Sequence, residues 1–380
     1  MMKKTSKKLA SATRNTHYWL PSYAAGFIFS LGRKKHGGRP THVFLSICDH
    51  FEPLWNSADA VTGLARVKNW HDKYPVVASS YSDFLGNHPK YTFFYPAEEY
   101  SFEYLQLITD ICSQGVAEVE IHLHHKDDTA DNLSKTLLDF KKILAEKHGL
   151  LSQDRMTKEV VYGFIHGNWA LNNSHPEGKF CGVNNETEIL QKTGCYADFT
   201  MPSAPDCTQT AKINSIYYAV NASDQPKSHN SGTDVRKNGV GKDGLLMVQG
   251  PLLLNWKERK SGIFPRIENG CISFDQRITA ARIQLWLQAH VHVKDAPEYI
   301  FIKLYTHGCQ ENNSEYLLNE GLPFLYEHLG RYYNDGKKYR LYYTSARETV
   351  NVIKALEAGQ PEVSIGEMKN NNIIFRLNQI

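Results

Sequence analysis

Runs of apolar residues alternate along the chain with segments in which apolar residues recur every three or four positions. The runs predict β-strands near residues 42–48, 91–95, 117–124, 159–165, 196–200, 245–254, 299–306 and 339–344. The segments between them predict helices, most clearly over 102–111, 133–144, 278–289 and 347–356. Ser345 and Glu348 have the spacing of a capping box at the start of the last of these helices. This alternation indicates an α/β protein with a mainly parallel sheet.

The number of strands narrows the architecture further. Eight candidate strands with intervening helices favour a deformed (β/α) barrel of seven or eight mainly parallel strands over an open sheet. Two long irregular segments, 168–185 and 203–243, are rich in Asn, Ser, Gly, Pro and Lys. Loops of this length in a compact domain are usually functional. We therefore expect both insertions to lie over the C-terminal mouth of the barrel.

Polar side chains follow three of the predicted strands directly. Asp49 and His50 come after the first strand, His122 and His124 end the third, and His307 follows the strand at 299–306. In α/β barrels the C-terminal ends of the strands form one mouth and carry the catalytic groups. Alternate residues of a strand point to the same face, so His122 and His124 can converge on one ion. Since imidazole and carboxylate are common zinc ligands, the pattern predicts a metal site, with Asp49 as the expected carboxylate.

The composition of the chain gives no sign of a nucleic-acid partner and favours a reducing cellular compartment. The 43 basic and 40 acidic residues leave a net charge of only +3, which implies no nucleic-acid partner. Hydrophobic residues make up 41% of the chain, which is ordinary for a globular protein. The seven cysteines show no C-x-x-C spacing. An odd, unclustered set of cysteines is typical of a reducing cytoplasm rather than of a disulfide framework.

The two ends of the chain differ from its middle. The expected organisation is a basic and aromatic N-terminal arm over residues 1–40, the barrel over 41–358 and a C-terminal tail over 359–380. The apolar stretch 18–31 contains Pro21, Ser22 and Ser30 and is too short and interrupted to span a bilayer. We expect a cytoplasmic protein whose arm packs on the domain or touches an anionic membrane surface, an uncleaved signal anchor being the weaker alternative. The basic residues of the arm are Lys3, Lys4, Lys7, Lys8, Arg14, Arg33, Lys34, Lys35 and Arg39.

Three of these segments resemble the motifs of polysaccharide deacetylases. They are residues 45–49 (LSICD), 120–124 (EIHLH) and 304–307 (LYTH). With residues 49–53 (DHFEP), the chain is similar to a divergent deacetylase-like branch found among exopolysaccharide proteins. The resemblance covers roughly residues 40 to 345. It implies a deformed (β/α) barrel, a divalent metal for which zinc is favoured, and hydrolysis of N-acetyl or O-acetyl groups on a carbohydrate.

The resemblance also implies metal ligands. Asp49 matches the metal aspartate of the family, and His124 matches its first metal histidine. The second metal histidine falls on Asp128. Either Asp128 replaces that ligand, or His122 with His124 supplies the pair of imidazoles, and spacing alone does not choose between them.

The catalytic residues depart from the family pattern. Cys48 occupies the position of the catalytic-base aspartate, which leaves His50, Glu52 and Asp127 as candidates for the base. His307 matches the catalytic acid. A buried thiol is the simpler interpretation of Cys48, since neighbouring strand residues face opposite ways.

Aromatic residues near the strand ends are candidates for stacking on a sugar, namely Trp55, Tyr95 and Trp169. Core packing is the competing interpretation of each. Two other functions stay open. One is an amidohydrolase-like metal hydrolase, suggested by the His122–Leu123–His124 pattern, and the other is a catalytically impaired sugar-binding protein of an exopolysaccharide assembly system, suggested by Cys48. Metal content separates the binding protein from the hydrolases.

Overall fold

The computed structural model describes residues 15–31, 40–222, 225–260, 262–359, 364–371 and 374–376. Its helices are α1 Leu20–Leu31, α2 Ala60–Ser79, α3 Phe102–Ser113, α4 Ala130–His148, α5 Glu186–Thr193, α6 Ala280–Ala289, α7 Glu311–Tyr316, α8 Leu322–Tyr332, α9 Ala346–Glu357 and α10 Ile365–Asn371. Its strands are β1 Thr41–His50, β2 Tyr91–Pro96, β3 Ala117–Leu123, β4 Ser152–Asp154, β5 Val160–His166, β6 Cys195–Asp198, β7 Ile216–Ala219, β8 Gly232–Asp234, β9 Leu246–Val248, β10 Leu253–Lys260, β11 Phe264–Glu268, β12 Tyr299–Thr306, β13 Tyr339–Tyr343 and β14 Ile374–Arg376.

A large, mainly parallel sheet forms the centre of the molecule, in the strand order β12-β1-β2-β3-β5-β6-β9-β7-β8. Strand β1 is parallel to β12 on one side, and on the other to β13 along its first half and to β2 at its end. The strands are apolar on both faces because both faces are covered. In β1, Leu45 and Ile47 belong to one hydrophobic cluster, whereas Phe44 and Cys48 belong to another. Such two-sided burial explains why the parallel strands appear as continuous apolar runs.

The sheet is strongly curved. Lys303 of β12 donates through Nζ to the backbone oxygens of Phe199 and Met201, just beyond β6. These strands are five steps apart in the sheet order, which in a flat sheet is about 24 Å, far beyond the reach of one lysine side chain. Strand hydrogen bonds between the described residues nevertheless do not close the sheet on itself.

Every predicted strand and helix has a counterpart, and the capping box between Ser345 and Glu348 is present. The segment 245–254 was predicted as one strand but is two, β9 and β10, and β10 pairs with β11 in a separate sheet. The break falls at Gly250, where a Cβ would lie 2.5 Å from the Lys303 carbonyl oxygen. The irregular segment 203–243 contains the strands β7 and β8. Helices α1, α2, α5, α7, α8 and α10 were not predicted.

The ends of the chain are only partly described. Trp19 is fully buried and packs with Ala204 and Leu252, so the arm contacts the domain at that point. The basic residues of the arm lie outside the described residues. Helix α10 contacts α9, and β14 pairs with β4. Within the described part of the chain, the helices are too short or too polar to cross a bilayer.

Candidate metal centre

The parallel pairing of β1 and β12 brings the ends of two predicted motifs side by side. Asp49 is paired with Thr306, so His50 at the end of β1 lies beside His307, which follows β12. Strand β3 follows on the other side of β2, with His122 in register with Pro96. The carboxyl ends of parallel strands meet at the same edge of a sheet. Residues that are far apart in the sequence therefore lie close together in the fold.

Five side chains at this edge form what we call the mouth cluster: His50, Glu52, His122, His124 and His307. One potential ligand atom each from Glu52, His122 and His124 lies within 4.8 Å of the other two, and the same holds for His50, Glu52 and His307. The His50 ring centroid lies 4.8 Å from that of His122 and 4.7 Å from that of His307. Glu52 belongs to both groups and is the centre of the cluster.

The spacing around Glu52 fits a metal ion. Its Oε1 atom lies 3.2 Å from Nε2 of His122 and 3.4 Å from Nε2 of His124. Two ligands about 2.0–2.1 Å from a tetrahedral zinc ion are separated by about 3.3 Å. Both distances from Glu52 thus match the separation of two ligands of one zinc ion, and imidazole with carboxylate is a donor set that zinc accepts.

Glu98 orients the His124 ring. Its Oε1 atom lies 2.5 Å from Nδ1 of His124 and accepts a hydrogen bond from the His124 backbone amide. Nε2, the other ring nitrogen, is the one directed at Glu52. Histidines that bind metals generally donate their second ring N–H to a carboxylate or carbonyl, which fixes the tautomer and the ring orientation. His124 has this arrangement.

Burial and close neighbours shift the pKa values of the cluster in opposite directions. Burial lowers the pKa of His50 well below its ordinary value, and the adjacent His307 and His122 lower it further. Burial also lowers the pKa of His307. For His124, burial acts in the same direction, but hydrogen bonds to Glu52 and Glu98 outweigh it and raise the pKa to about 10. The cluster therefore combines imidazoles that burial disfavours in the charged form, His50 and His307, with the His124 imidazole, which lies between two carboxylates.

Asp49, the expected metal aspartate, has a different environment. Its Oδ1 accepts a hydrogen bond from the Gly308 amide at 2.7 Å, and its Oδ2 accepts one from the Tyr91 hydroxyl at 2.9 Å. The carboxylate is fully buried and does not belong to any metal-compatible group found among the described residues. Successive strand residues point to opposite faces, so His50 rather than Asp49 is directed at the mouth cluster. Asp49 instead links β1 to the segment after β12.

Asp128 also lies away from the mouth cluster. Its Oδ2 atom is 3.1 Å from Nδ1 of His125. Its Oδ1 accepts hydrogen bonds from Thr129 N and Asn132 Nδ2, at the start of α4. Of the two candidates to complete the metal shell, His122 is the one that the fold brings to His124 and Glu52.

The three predicted aromatic platforms lie in different places. Trp169 is half-buried, and its ring centroid is 5.9 Å from those of both His50 and His307, so it borders the mouth cluster. Trp55 is 39% exposed in a short 3-10 turn after β1. Tyr95 is fully buried in the core, where its hydroxyl donates to the Glu99 carbonyl, so it is not accessible to a substrate.

Cys48 is a buried thiol, as the alternation along β1 predicts. Burial raises its pKa to about 12, which leaves no reactive thiolate near neutral pH. Asp127, another candidate base, is exposed beside the turn after β3. His50 and Glu52 are the two candidate bases that lie in the mouth cluster.

Two features were missed by the sequence reasoning. Glu98 follows β2, and no periodicity marks it. A second group of four residues, which we call the buried cluster, contains His125, His166, Cys181 and Glu186. His166 ends the strand β5 and shows the same apolar-strand-then-histidine pattern as the other motifs, so that pattern could have found it. Searches with protein-family models and among curated proteins find no match to this chain.

Proposed function

We propose that the protein is a metal-dependent hydrolase that removes N- or O-acetyl groups from a polysaccharide or a sugar intermediate. Glu52, His122 and His124 hold the divalent ion in this proposal, with zinc favoured. The observation that carries it is the spacing of the Glu52 carboxylate, 3.2 Å and 3.4 Å from imidazole nitrogens at the end of one strand. Glu98, which fixes the second ring nitrogen of His124, supports the same assignment.

The proposed fold is a deformed (β/α) barrel with its mouth at this cluster. The contact between Lys303 and the chain beyond β6 supports it, because that contact brings distant strands of the sheet together. On the free side of β12, Tyr305 donates to the Gly270 carbonyl and Ile272 donates to the Tyr305 carbonyl. The segment after β11 therefore occupies the place where a closing strand would lie.

Amide or ester hydrolysis needs a nucleophile, stabilisation of charge on the acyl oxygen and a proton for the leaving group. A divalent ion lowers the pKa of water and polarises a carbonyl. His307, which borders Trp169, is the residue we assign as the acid. Burial lowers its pKa, so it donates to the leaving group after it has received the proton that the neighbouring His50 takes from the water. His50 is the proposed base, because burial keeps its imidazole neutral and its Nδ1 atom has no hydrogen-bond partner among the described residues. Glu52 then serves as a ligand rather than a base.

A carbohydrate substrate is the second part of the proposal. Its support is the similarity of the strand-end motifs to those of polysaccharide deacetylases, together with Trp169 beside the cluster. An aromatic face that borders a polar site offers an apolar platform to a sugar ring. The loop that carries Trp169 is the first of the two irregular insertions, which were expected over the mouth.

The test compares two variants of the mouth cluster with a matched control. His124→Ala should lose the metal, because it removes a ligand. His307→Ala should keep the metal and lose release of acetate from an acetylated chitooligosaccharide or a native exopolysaccharide. His88→Ala removes an exposed histidine whose Nδ1 atom lies 2.8 Å from the Tyr81 carbonyl oxygen, so it should change neither measurement.

The outcomes separate the alternatives. Metal content that is unchanged in His124→Ala would refute the metal assignment. Acetate release that is unchanged in His307→Ala would refute the acid assignment. A wild-type protein that binds acetylated glycans, contains no metal and releases no acetate would favour the sugar-binding alternative.

A further inference from the structure

A second group of potential metal ligands lies beside the mouth cluster, in the part of the chain that follows β3 and β5. The buried cluster takes His125 from the turn after β3, His166 from the end of β5, Cys181 from the long loop and Glu186 from the first turn of α5. One ligand atom from each lies within 4.8 Å of the other three. His166, Cys181 and Glu186 are fully buried, and the His125 side chain is 7% exposed.

The distances in the buried cluster lie around those expected for a tetrahedral ion. Oε1 of Glu186 lies 3.0 Å from Nε2 of His125 and 3.9 Å from Nε2 of His166, and Oε2 of Glu186 lies 3.3 Å from Sγ of Cys181. Ligand atoms around a tetrahedral zinc ion are separated by about 3.3–3.5 Å when the bonds are about 2.0–2.3 Å long. Two imidazoles, one sulfur and one carboxylate make a set of soft and borderline donors that suits zinc.

Two further observations point to a ligand at the centre of the cluster. Nε2 of His166 is buried and has no hydrogen-bond partner in the described structure, although it faces Glu186. Without an ion this nitrogen has no partner, because its distance of 3.9 Å from Oε1 of Glu186 is too long for a hydrogen bond. In addition, Nδ1 of His125 lies 3.1 Å from Asp128, so its ring sits between Glu186 and a second carboxylate. A carboxylate beside the second ring nitrogen is typical of a metal-binding histidine, although Nδ1 of His125 is not aligned for a hydrogen bond with Asp128 in this structure.

We propose that the buried cluster is a closed structural zinc site, distinct from the proposed catalytic ion at the mouth cluster. All four ligands come from the protein, and a site with four protein ligands leaves no position for a substrate. Binding through Nε2 of His166 places the ring proton on Nδ1, so the 3.2 Å contact from the Asn168 amide to Nδ1 has to lengthen. The inference does not depend on the hydrolase activity.

The consequence of such an ion is a fixed loop. Residues 167–185 run from the end of β5 to the start of α5 and carry Trp169, which borders the mouth cluster. Cys181 and Glu186 already accept hydrogen bonds from the backbone of Asn173 and Asn172 in this loop. An ion that joins Cys181 to both flanking strands would cross-link the loop to the sheet. Its removal should therefore loosen the Trp169 side of the mouth.

Cobalt substitution tests the proposal, because the two clusters differ in one ligand type. The full-length protein is stripped of metal and titrated with Co²⁺, and the absorption spectrum is recorded. The buried cluster contains Cys181, whereas the mouth cluster contains no cysteine, so a thiolate-to-cobalt charge-transfer band reports the buried cluster alone. We expect the band in the wild type, its loss in Cys181→Ser, and its retention in the control Cys207→Ser, which changes a half-exposed cysteine.

Stoichiometry separates this proposal from the proposed function. Cys181→Ser should bind one equivalent of zinc fewer than the wild type, whether or not the mouth cluster binds an ion. His124→Ala should keep the charge-transfer band. The proposal is overturned if the wild type binds Co²⁺ without the band, or if Cys181→Ser keeps both the band and the full metal content.

A milder variant covers the case in which Cys181→Ser does not fold. Asp128→Asn keeps all four ligands and changes only the carboxylate beside His125. We expect Co²⁺ to bind the buried cluster about 10- to 100-fold more weakly in this variant, followed by the same band. A Co²⁺ affinity equal to that of the wild type, measured by the thiolate band, would contradict the proposed site.

Discussion

Replacing Asp49 tests whether this residue is structural or a metal ligand. Both carboxylate oxygens accept hydrogen bonds from buried donors, the Gly308 amide at 2.7 Å and the Tyr91 hydroxyl at 2.9 Å. Asp49→Ala leaves both donors unpaired. An unsatisfied buried donor costs about 1–3 kcal/mol, so the loss of unfolding free energy should be about 2–6 kcal/mol. That is a large part of the roughly 5–15 kcal/mol that stabilises a typical domain.

Asp49→Asn is the more informative variant for the metal. The amide keeps the shape of the side chain, and its oxygen can still accept the Gly308 hydrogen bond. Only the Tyr91 contact changes, so we expect a loss of about 1–3 kcal/mol. Because Asp49 lies outside the mouth cluster, the folded variant should contain as much metal as the wild type.

The assay combines urea unfolding, which gives the unfolding free energy, with metal analysis of the folded protein. Glu52→Gln is the matched comparison, since it makes the same chemical change in the central residue of the mouth cluster and should lose the ion. A structural role for Asp49 is ruled out if Asp49→Asn loses metal as completely as Glu52→Gln while its unfolding free energy is unchanged. Asp49 would then be a ligand.

Three further predictions concern stability. Gly308→Ala should destabilise the protein, because the new Cβ would lie 2.2 Å from Oδ2 of Asp49, and thermal unfolding measures this. Arg347→Met should cost about 3–5 kcal/mol in urea unfolding, because it leaves the buried Glu118 carboxylate without its partner at 2.5 Å. Burial, with the neighbouring Arg340, lowers the pKa of His42 to about 4, so below pH 6.5 the unfolded state binds a proton that the folded state excludes. The unfolding free energy should therefore be highest above pH 6.5 and fall by about 2–3 kcal/mol as the pH drops toward 4. His42→Phe should flatten this pH dependence.

The glycine and arginine predictions each have a control variant. Gly330→Ala in α8 meets nothing within 4 Å and should be neutral or stabilise the protein by up to about 1 kcal/mol. Lys135→Ala breaks an exposed pair with Asp139 and should cost less than about 1 kcal/mol. A wild-type stability that does not change between pH 6.5 and 4, or a loss in Arg347→Met no larger than in Lys135→Ala, would contradict the corresponding argument.

Most strands could be predicted because parallel strands that are buried on both faces appear as apolar runs. The helix α2 was missed although Val67, Trp70, Tyr74 and Ala78 have helical spacing and are buried. Pro75 inside the helix obscures that pattern, since proline usually ends a helix. Strand β7 was missed because it lies in a segment whose composition is that of a loop. The composition of this segment does not show that β8 and β9 lie on either side of it and pair with it.

The candidate site, like the fold, could be predicted from the sequence only in part. Alternation along β3 correctly suggested that His122 and His124 share a face, and both reach Glu52. On β1 the same rule allows only one of Asp49 and His50 to face the mouth, and the sequence does not show which. The residues of the buried cluster come from four places in the chain, and nothing in the sequence marks Cys181 or Glu186 as neighbours of His166. Only the path of the loop brings them together.

Anomalous diffraction from crystals grown with zinc, recorded on both sides of the zinc absorption edge, tests the central claim most directly. We expect an anomalous peak at the mouth cluster, about 2.0–2.2 Å from Oε1 of Glu52 and from Nε2 of His122 and His124. Fully occupied zinc elsewhere in the protein, with no anomalous density between these three atoms, would contradict it.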